Sequence, residues 1–468
     1  MNGKEETIMI SMILAVHNNL SYTQHCVAVL QDNFAPDEYE LIVVDDGSAD
    51  GTAEWLKGNG VQFLRHEEAR GIAAARNLGA SAAKGDAFLF LEADVWLTHA
   101  ALEEMVACVN RDARVGIVGC LSNCDEYGCG LFQDAADYEG YEGYKAFAQR
   151  VANDARQSAK RDCPAIFATA FAMLITRPAW FALGGFDESA CGKSVGADVD
   201  FSLRAWQAGY RVVRAKGAYV HRIRPVWNGT AEGLEQETMC GRMWFKQKWG
   251  FEINYSCNVR TELLQFVQPK QASPSVLEVG CACGGNFMLL REKFPDITCC
   301  GIELDDRSAA VANCFGQIFN MDVETLDMPA WENQFDAVIL GDVLEHLYDP
   351  WQTVRHMYRV TRPGGRIIVS VPNITHISIF DMMLSGQWKY AAAGILDHTH
   401  LRFFTQATAK EMVESAGYRV VTLASVSVIE GEEQERLKEI LRPLLRADAP
   451  SYQLDAYQWV IVGEKAEA

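Results

Sequence analysis

The sequence lacks any long hydrophobic run. No stretch reaches the roughly 18 uninterrupted apolar residues that a membrane-spanning helix requires. Residues 1–6 are polar, and the apolar run that follows them, 7–16, is too short to cross a bilayer. We therefore expect neither an export signal nor a membrane-spanning helix, and we place the protein in the cytoplasm.

Basic residues are few relative to acidic ones. The 468 residues include 62 Asp and Glu against 42 Lys and Arg, which gives a formal net charge of -20. Nucleic-acid binding depends on Lys and Arg that neutralise phosphates, so this balance argues against a nucleic-acid partner. It does not exclude small anionic substrates, because a pocket needs only a few local donors or a metal ion.

The 14 cysteines lack the paired spacing of a zinc site. Cys120, Cys124 and Cys129 form one group and Cys281 with Cys283 another, but neither group contains a CxxC pair. Because we expect no export signal, we predict that the cysteines are reduced thiols.

The chain is longer than one hydrophobic core usually serves, which favours two domains. Predicted strands at 8–16, 40–44, 61–64 and 86–91 alternate with predicted helices at 21–30, 51–57 and 71–82. After a break at 265–275, which contains Pro269 and Pro274, predicted strands follow at 275–279, 298–303, 335–340 and 366–371. This alternation indicates βαβ units, so we predict two α/β domains, over 1–255 and 275–468, joined by a linker over 256–274.

Acidic residues follow two predicted strands of the first domain. Ligands of open α/β sheets bind at the carboxyl ends of strands, so Asp45 and Asp46 are predicted to face a ligand. Asp50 is predicted to cap the next helix. Glu92 and Asp94 follow the strand at 86–91, where a divalent cation on a diphosphate would offset their charge. A solvated turn is the alternative for this second pair.

A third acidic residue, Asp198, opens a predicted helix. The helix dipole favours an ionised carboxylate there, which suits a base that takes a hydroxyl proton. Simple capping of the helix is the alternative interpretation of this residue.

The first half contains these motifs in a fixed order. They are AVHN at 15–18, DDGSADGT at 45–52, a glycine at 71 with RNLG at 76–79, ExD at 92–94, GGFDE at 184–188, ADVDFSLRAWQAGYRV at 197–212, and His221. As an ordered set they resemble family-2 glycosyltransferases of the GT-A fold, over roughly the first 250 residues.

The resemblance implies a role for each matching residue. Asp46 would contact the nucleotide base, and Arg76 would lie near the nucleotide or its diphosphate. Asp94 and His221 would bind Mn²⁺ or Mg²⁺ on the diphosphate. Asp198 would be the general base of an inverting sugar transfer.

The sequence departs from the family pattern at two positions. Glu92 replaces the more usual first Asp or Asn of its motif, which is a mild chemical change. Ala197 replaces the acidic residue that typically precedes the base, which removes a carboxylate from the site.

The second half opens with a glycine-rich turn, VLEVGCACGG at 276–285. Small residues at a strand-to-helix turn let a cofactor approach the backbone, and Glu303 ends the next strand with an acid suited to ribose hydroxyls. NAD is disfavoured because Ala282 replaces the middle glycine and no G-x-G-x-x-G is completed.

Later motifs discriminate further between cofactors. NMD at 320–322, FDAVILGDVLEHL at 335–347, RPGG at 362–365 and LDHTHLRFFT at 396–405 follow in that order. The succession resembles class I S-adenosylmethionine-dependent methyltransferases of Rossmann-like fold over nearly all of 272–468. Its last motif is similar to a subgroup found with bacterial glycan-modifying enzymes.

This second resemblance also implies residue roles. Three residues would line the methionine part of the cofactor: Glu278, Gly280 and Gly284. Glu303 would hold the ribose, Asp322 would meet the adenine amine, and Asp342 would face the cofactor or the acceptor. His346, His398 and His400 are the candidate bases for an acceptor hydroxyl, with a structural role as the alternative for each.

We therefore expect a two-enzyme glycan-biosynthesis protein with a nucleotide-sugar donor and a glycan or lipid-linked glycan acceptor. A lipid-linked acceptor would bring the protein to the inner face of the membrane as a peripheral protein. The alternative is an active methyltransferase with a noncatalytic sugar-binding front domain, which the loss of an acid at Ala197 motivates. A noncatalytic scaffold is disfavoured, because nearly every motif position retains chemistry that can bind a ligand.

Overall fold

The computed structural model describes residues 8–35, 37–123, 138–158, 160–190, 196–223, 231–325, 331–429, 431–446, 449–450 and 452–467, with backbone alone for 231–237. The chain forms two compact units, Met1–Val259 and Arg260–Ala468. Within the described part, no helix combines the length and apolar character needed to cross a membrane.

The first unit alternates strands and helices through most of its length. Its elements are β1 (Ile10–Val16), α1 (Leu20–Asn33), β2 (Tyr39–Asp46), α2 (Thr52–Gly58), β3 (Phe63–His66), α3 (Ile72–Ala82), β4 (Ala87–Leu91), β5 (Val95–Trp96), α4 (His99–Arg111), β6 (Val115–Ser122), α5 (Gly140–Gln157), β7 (Asp162–Pro164), β8 (Ala172–Thr176), α6 (Arg177–Leu183), α7 (Ala197–Gln207), β9 (Arg211–Arg222), α8 (Ala231–Trp249) and α9 (Ile253–Ser256).

The strands of this unit form one nine-stranded sheet in the order β3-β2-β1-β4-β8-β6-β9-β5, with β7 also paired to β9. Strands β3, β2, β1 and β4 are parallel, whereas β8 runs antiparallel to both β4 and β6. Alternate residues of β1 enter two separate cores, Met12 and Leu14 on one face and Ile13 and Ala15 on the other. Helices therefore cover both faces, and the ends of the parallel strands remain available for a site.

The second unit repeats the alternation with different connections at its end. Its elements are α10 (Thr261–Leu264), β10 (Ser275–Val279), α11 (Gly285–Lys293), β11 (Thr298–Glu303), α12 (Asp306–Ala312), β12 (Gln317–Asn320), β13 (Phe335–Gly341), α13 (Pro350–Val360), β14 (Thr361–Pro372), α14 (Ile377–Leu384), α15 (Gln406–Ser415), β15 (Arg419–Ser427), α16 (Glu432–Leu441) and β16 (Ala456–Glu464).

The second sheet has the order β12-β11-β10-β13-β14-β16-β15. Its first five strands are parallel, and β16 inserts antiparallel between β14 and β15. The two central strands β10 and β13 are almost fully buried, as expected for parallel strands covered on both faces. The predicted class, an α/β chain with a GT-A-like first fold and a Rossmann-like second fold, is confirmed.

Part of the segment predicted as a linker is ordered secondary structure. α10 lies inside 256–274, and Leu263 and Val267 are fully buried. These two apolar residues are four apart, so they pack on the same side of a helical turn. The prolines at 269 and 274 come after this turn and do not interrupt it. The domain bounds given from the sequence stay a prediction.

The cysteines also differ from expectation at one position. Ten described cysteines carry free thiols. The prediction of reduced cysteines is wrong for Cys240, which forms a disulfide bond. Cys124 and Cys129 of the first cysteine group lie outside the described residues.

Candidate active sites

The carboxylates at the end of β2 and just after it have protein groups as partners. Asp45 is fully buried, and its Oδ2 lies 3.0 Å from Nη1 of Arg65. Its Oδ1 accepts a hydrogen bond from the Ser48 amide. Asp50 accepts hydrogen bonds from the amides of Leu20 and Thr52, the first residues of α1 and α2. These bonds help to lower the pKa of Asp50 against the opposing effect of its burial. Asp50 therefore caps two helices.

Asp46 joins three segments at the end of the sheet. It pairs with His66 Nδ1 at 2.6 Å and accepts hydrogen bonds from the amides of Arg70 and Gly71, at 2.9 and 2.8 Å. These contacts fix the loop that enters α3 against the ends of β2 and β3. The predicted contact with a nucleotide base would add to these bonds, since each carboxylate oxygen has two acceptor positions.

Glu92 and Asp94 lie in a chain of alternating charges. Arg76, which is 2% exposed, donates to Glu92 Oε1 and to the Ala170 carbonyl, at 3.1 Å each. Arg222 bridges the two acids, with Nη2 2.6 Å from Glu92 Oε2 and Nε 3.0 Å from Asp94 Oδ2. Two guanidinium groups thus balance two carboxylates, of which Asp94 is buried and Glu92 is partly buried.

One oxygen of this chain has no partner. Asp94 Oδ1 is buried and makes no hydrogen bond. Burial raises the pKa of Asp94, Arg222 opposes the rise, and Glu92 adds to it. A hard carboxylate oxygen without a partner suits Mg²⁺ or Mn²⁺, which take one or two carboxylates and complete their coordination with phosphate oxygens. The residues present therefore fit the metal that the sequence implies.

His221 lies on β9 beside the short strand β5. Its ring stacks on Trp96 at a centroid distance of 4.4 Å, and Nδ1 is hydrogen-bonded to the Tyr138 hydroxyl. Burial lowers the pKa of His221 and so favours the neutral imidazole that a metal requires. Its contribution to the metal stays a prediction.

Asp198 lies in the first turn of α7 and is 5% exposed. Its two oxygens accept hydrogen bonds from the amides of Val199 and Ala170, at 2.9 and 3.0 Å. Ala170 is also the residue whose carbonyl meets Arg76, so the Asp198 carboxylate and the charge chain share one segment of backbone. Ala197, the departure from the family pattern, is fully buried.

In the second unit, Glu278 is buried near the carboxyl end of β10. Oε1 accepts a hydrogen bond from Asn286 at 2.6 Å, while Oε2 is buried without a partner. Burial raises the pKa of Glu278 to about 7, against the lowering effects of Asn286 and Arg260. An unsatisfied carboxylate of this kind suits a cationic group such as an ammonium.

The two glycines of the glycine-rich turn, Gly280 and Gly284, leave little room for a side chain. Gly280 has φ of +68°, and a Cβ there would lie 2.7 Å from Val343 Cγ2. Gly284 has φ of +79°, and a Cβ would lie 3.2 Å from the Ala312 backbone. Ala282 between them also adopts a positive φ of 46°. Together with the free oxygen of Glu278, this cradle fits a cofactor that approaches the backbone closely.

Two acids are predicted to hold the nucleoside, and they lie at the carboxyl ends of the neighbouring strands β11 and β12. Glu303 accepts hydrogen bonds from the amides of Ala282 and Asp305, at 2.7 and 2.9 Å. Asp322 follows β12, is exposed, and accepts one from the Glu324 amide at 2.9 Å. Both lie at the carboxyl edge of the sheet, and their contacts with a ligand stay a prediction.

Asp342 ends β13 in a left-handed conformation with φ of 55°. It is ion-paired with Arg260 and hydrogen-bonded to Ser370 at 2.9 Å and Gln458 at 3.0 Å. Arg260 also donates its amide to Asn286, the partner of Glu278. One residue of the predicted linker therefore connects Asp342, at the end of β13, with Asn286, which holds Glu278 of the glycine-rich turn.

The structure separates the three candidate bases. His346 and His400 lie together, with ring centroids 4.7 Å apart, and Glu345 lies beside them. Burial and the neighbouring His400 lower the pKa of His346. The side chain of His398 is 66% exposed and contacts the Ala391 carbonyl and Asp397.

Sequence reasoning missed three residues of these sites, each for lack of a motif: Arg222, Asn123 and Arg260. Arg222 directly follows the predicted ligand His221, and Asn123 exchanges two hydrogen bonds with its backbone. The signal for Arg222 was a single basic residue next to a predicted metal ligand. No local signal marked Arg260, because its partners in the site, Asn286, Asp342 and Gln458, lie 26 to 198 residues away.

Comparison with known families assigns both units. The model described as Glycosyl transferase family 2 matches residues 11–153, and that described as Glycosyl transferase family group 2 matches residues 87–248. A model described as Methyltransferase domain matches residues 251–423.

Individual relatives divide in the same way. A putative glycosyltransferase of Bacillus subtilis is 30% identical over 135 residues, which are 28% of this chain and 39% of that protein. The ubiquinone biosynthesis O-methyltransferase of Aeromonas salmonicida is 26% identical over 157 residues, which are 32% of this chain and 65% of that enzyme. The chain thus spans less than two thirds of either relative.

A solved mannosyltransferase from Pyrobaculum calidifontis, in complex with GDP-mannose and Mn²⁺, is 19% identical. The match covers 51% of this chain and 64% of that one, with a TM-score of 0.36, too low to support a conclusion about donor or metal. From the family matches, the chain joins a family 2 glycosyltransferase domain to a methyltransferase domain.

Proposed function

We propose that the protein is a bifunctional enzyme of glycan biosynthesis. Its first unit transfers a sugar from a nucleotide-sugar to an acceptor hydroxyl with inversion. Its second unit methylates a hydroxyl of a glycan or related acceptor with S-adenosylmethionine. The observation that carries the proposal is the presence, in one chain, of two buried carboxylate oxygens without partners, Asp94 Oδ1 and Glu278 Oε2, each at a strand end of a transferase domain.

In the first unit, the proposed donor site centres on the charge chain. Asp94, with His221, would hold Mn²⁺ or Mg²⁺, and the ion would neutralise the diphosphate leaving group. Arg76 and Arg222 fix Glu92 and leave one oxygen of Asp94 available. Asp45 and Asp46 shape the loop that we propose contacts the nucleotide.

Asp198 is the proposed base of sugar transfer. The acceptor oxygen forms the new glycosidic bond while the bond to the diphosphate breaks, and the hydroxyl proton passes to the carboxylate. Amide donors from Val199 and Ala170 hold this carboxylate in one orientation, which supports in-line attack.

In the second unit, S-adenosylmethionine would supply a methyl group already activated by its sulfonium. Glu278 is proposed to bind the amino group of the methionine part, above the glycine-rich turn at Gly280 and Gly284. Glu303 and Asp322 are proposed to bind the ribose and the adenine amine.

Methyl transfer itself requires mainly alignment of the acceptor with the cofactor. Asp342 is proposed to face the cofactor or the acceptor. The oxygen–methyl bond forms as the sulfur–methyl bond breaks, and the acceptor proton leaves to a base. The proposed bases are His346, His398 and His400.

A second candidate function has one observation in its favour. Ala197 removes an acid beside Asp198, so the front domain could bind a nucleotide-sugar without transferring it. The chain would then be a methyltransferase with a sugar-binding module. Under either proposal a lipid-linked glycan acceptor would bring the protein to the inner face of the membrane.

The test is calorimetry on the full chain with UDP, GDP and dTDP in the presence of Mn²⁺, and separately with S-adenosylhomocysteine. We compare wild type, Asp94→Asn, and the matched control Asp154→Asn, which changes an exposed acid of α5. We expect one nucleotide to bind wild type in the presence of Mn²⁺. Of the two variants, only Asp94→Asn should lose this binding. S-adenosylhomocysteine should bind all three proteins.

If only S-adenosylhomocysteine binds, the proposed sugar transfer is wrong. If a nucleotide binds but no acceptor assay shows release of the diphosphate product, the sugar-binding alternative replaces it.

A further inference from the structure

Three aromatic side chains of the first unit pack against the imidazole of His221. Trp96 lies directly opposite His221 on the neighbouring strand β5, and the two rings stack at a centroid distance of 4.4 Å. The rings of Tyr138 and Tyr144 lie 5.5 and 6.0 Å away and are inclined to the imidazole by 70° and 51°. Packing of this kind fixes the ring in one orientation, so its neighbours decide where each nitrogen points.

The aromatic residues around His221 are themselves anchored. Trp96 donates its indole N–H to His25 on α1, at 2.6 Å, and its carbonyl accepts from the Tyr144 hydroxyl, also at 2.6 Å. Tyr144 is fully buried on α5, and Tyr138 packs on Phe147 of the same helix at a centroid distance of 5.2 Å. The surround of His221 is therefore held by α1, β5 and α5.

The Tyr138 hydroxyl determines which nitrogen of His221 carries the proton. Its oxygen is hydrogen-bonded to His221 Nδ1, and its own proton is donated toward the Tyr219 hydroxyl at 3.4 Å. The oxygen therefore accepts from Nδ1–H, which leaves the lone pair of the neutral imidazole on Nε2. In the described part of the chain, no residue is hydrogen-bonded to Nε2. Nε2 is the nitrogen that this arrangement offers to a ligand.

His221 and Asp94 lie on paired segments of backbone. The amide of Ile223 donates to the Asp94 carbonyl at 2.7 Å, next to the pair that Val95 forms with Arg222. Asp94 and His221 are thus diagonal neighbours across two antiparallel segments, and diagonal side chains can reach one shared ligand. Asp94 Oδ1, the carboxylate oxygen without a partner, is the second group available to that ligand.

We propose that Tyr138 is a positioning residue, which holds His221 so that Nε2 can bind the divalent cation of the first unit. The inference rests on the proposed function, in which Asp94 and His221 hold Mn²⁺ or Mg²⁺ on the diphosphate. Tyr138 acts on the ion through His221. A hydrogen bond on the far side of a metal-binding imidazole fixes the ring and its tautomer, and its loss weakens metal binding by about 10- to 100-fold.

The test measures Mn²⁺ binding by the full chain after its metal has been removed with a chelator. Electron paramagnetic resonance (EPR) follows free Mn²⁺ during the titration, first without nucleotide and then at one fixed concentration of UDP, GDP or dTDP. The main variant is Tyr138→Phe, which removes one hydroxyl and keeps the ring that packs on Phe147. Its matched control is Tyr141→Phe, which removes a nearby hydroxyl that accepts from Asn33.

We expect Tyr138→Phe to weaken Mn²⁺ binding by about 10- to 100-fold, whereas Tyr141→Phe should bind as wild type does. Asp94→Asn should lose the ion. Pulsed EPR on protein with isotope-labelled histidine gives a second readout, because it detects a histidine nitrogen bound to Mn²⁺. This signal should be present in wild type, absent in His221→Ala and strongly reduced in Tyr138→Phe.

A double variant separates positioning of the ligand from support of the fold. If Tyr138 acts through His221, Tyr138→Phe should change the Mn²⁺ affinity of His221→Ala by less than about twofold. A purely structural hydroxyl would weaken binding by the same factor in both backgrounds. If His221→Ala binds no measurable Mn²⁺, the histidine signal of Tyr138→Phe decides between the two roles.

The proposal is overturned if Tyr138→Phe binds Mn²⁺ as wild type does while Asp94→Asn loses it, and the metal site would then stand without Tyr138. It is also overturned if Tyr138→Phe weakens binding equally in wild type and in His221→Ala, or keeps the full histidine signal. If wild type binds no Mn²⁺ with or without nucleotide, the metal-dependent sugar transfer is wrong and this inference falls with it.

Discussion

The raised pKa of Glu278 predicts that cofactor binding depends on pH. At a pKa of about 7, roughly 10% of the free protein carries an ionised Glu278 at pH 6 and roughly 90% at pH 8. If the carboxylate binds the amino group of the cofactor, only the ionised form is competent. The apparent affinity should follow the competent fraction, so S-adenosylhomocysteine should bind about tenfold more tightly at pH 8, or by about 1.4 kcal/mol.

Replacement of Glu278 by Gln removes the titration while it keeps the shape of the side chain. In Glu278→Gln we expect an affinity that is weaker at pH 8 and nearly constant from pH 6 to 8. The matched control is Glu411→Gln, which changes an exposed acid on α15 and should retain the tenfold slope.

Calorimetry at pH 6, 7 and 8 measures both quantities. Titrations in two buffers with different ionisation enthalpies also count protons, and binding at pH 6 should release close to one. The reasoning is refuted if wild type binds equally at pH 6 and pH 8, or if the slope persists in Glu278→Gln.

Three further predictions concern stability and use urea unfolding followed by fluorescence and circular dichroism. Arg222→Met should lower the unfolding free energy by about 3 kcal/mol, because it leaves the buried Asp94 carboxylate unpaired beside the partly buried Glu92; Arg222→Lys should lose less, and equal losses would contradict the bridging role. Gly280→Ala should cost about 1–2 kcal/mol for its left-handed backbone, plus a clash that Val343→Ala relieves; no gain from the second change would contradict the clash. Asp50→Ala should cost about 1–2 kcal/mol through the loss of two helix caps, and Asp50→Asn, which keeps an acceptor oxygen, should lose less.

Local sequence patterns predicted the parallel parts of both sheets well. The strands Ser275–Val279 and Thr298–Glu303 match their predicted bounds. A buried parallel strand is a continuous apolar run between turn residues, so its bounds are visible in the sequence. The predicted strand at 366–371 is longer in the structure, Thr361–Pro372, because Thr361, just before the RPGG turn, also pairs with Phe335.

The antiparallel additions were not predictable in the same way. β16 inserts between β14 and β15, and β9 joins three other strands, through pairings that depend on the whole fold. No local pattern specifies which edge a late strand will join.

The sites divide along the same line. The acids at strand ends were found because position on a strand is a local property. Arg222 reaches Glu92 across 130 residues of chain, and His400 reaches Glu345 through a segment without regular structure. Contacts of this kind are set by tertiary packing and leave no spacing rule in the sequence.

The bridge that Arg222 makes has a consequence for turnover. Since a guanidinium already lies against Glu92 and Asp94, the two acids remain compensated when no cation is present. In the proposed transfer, the nucleotide diphosphate would then leave together with its metal ion, and Arg222 would keep Glu92 and Asp94 in place. Each catalytic cycle would begin from metal-free enzyme and take up donor and ion together, so free Mn²⁺ and free nucleotide-sugar would act kinetically as one substrate.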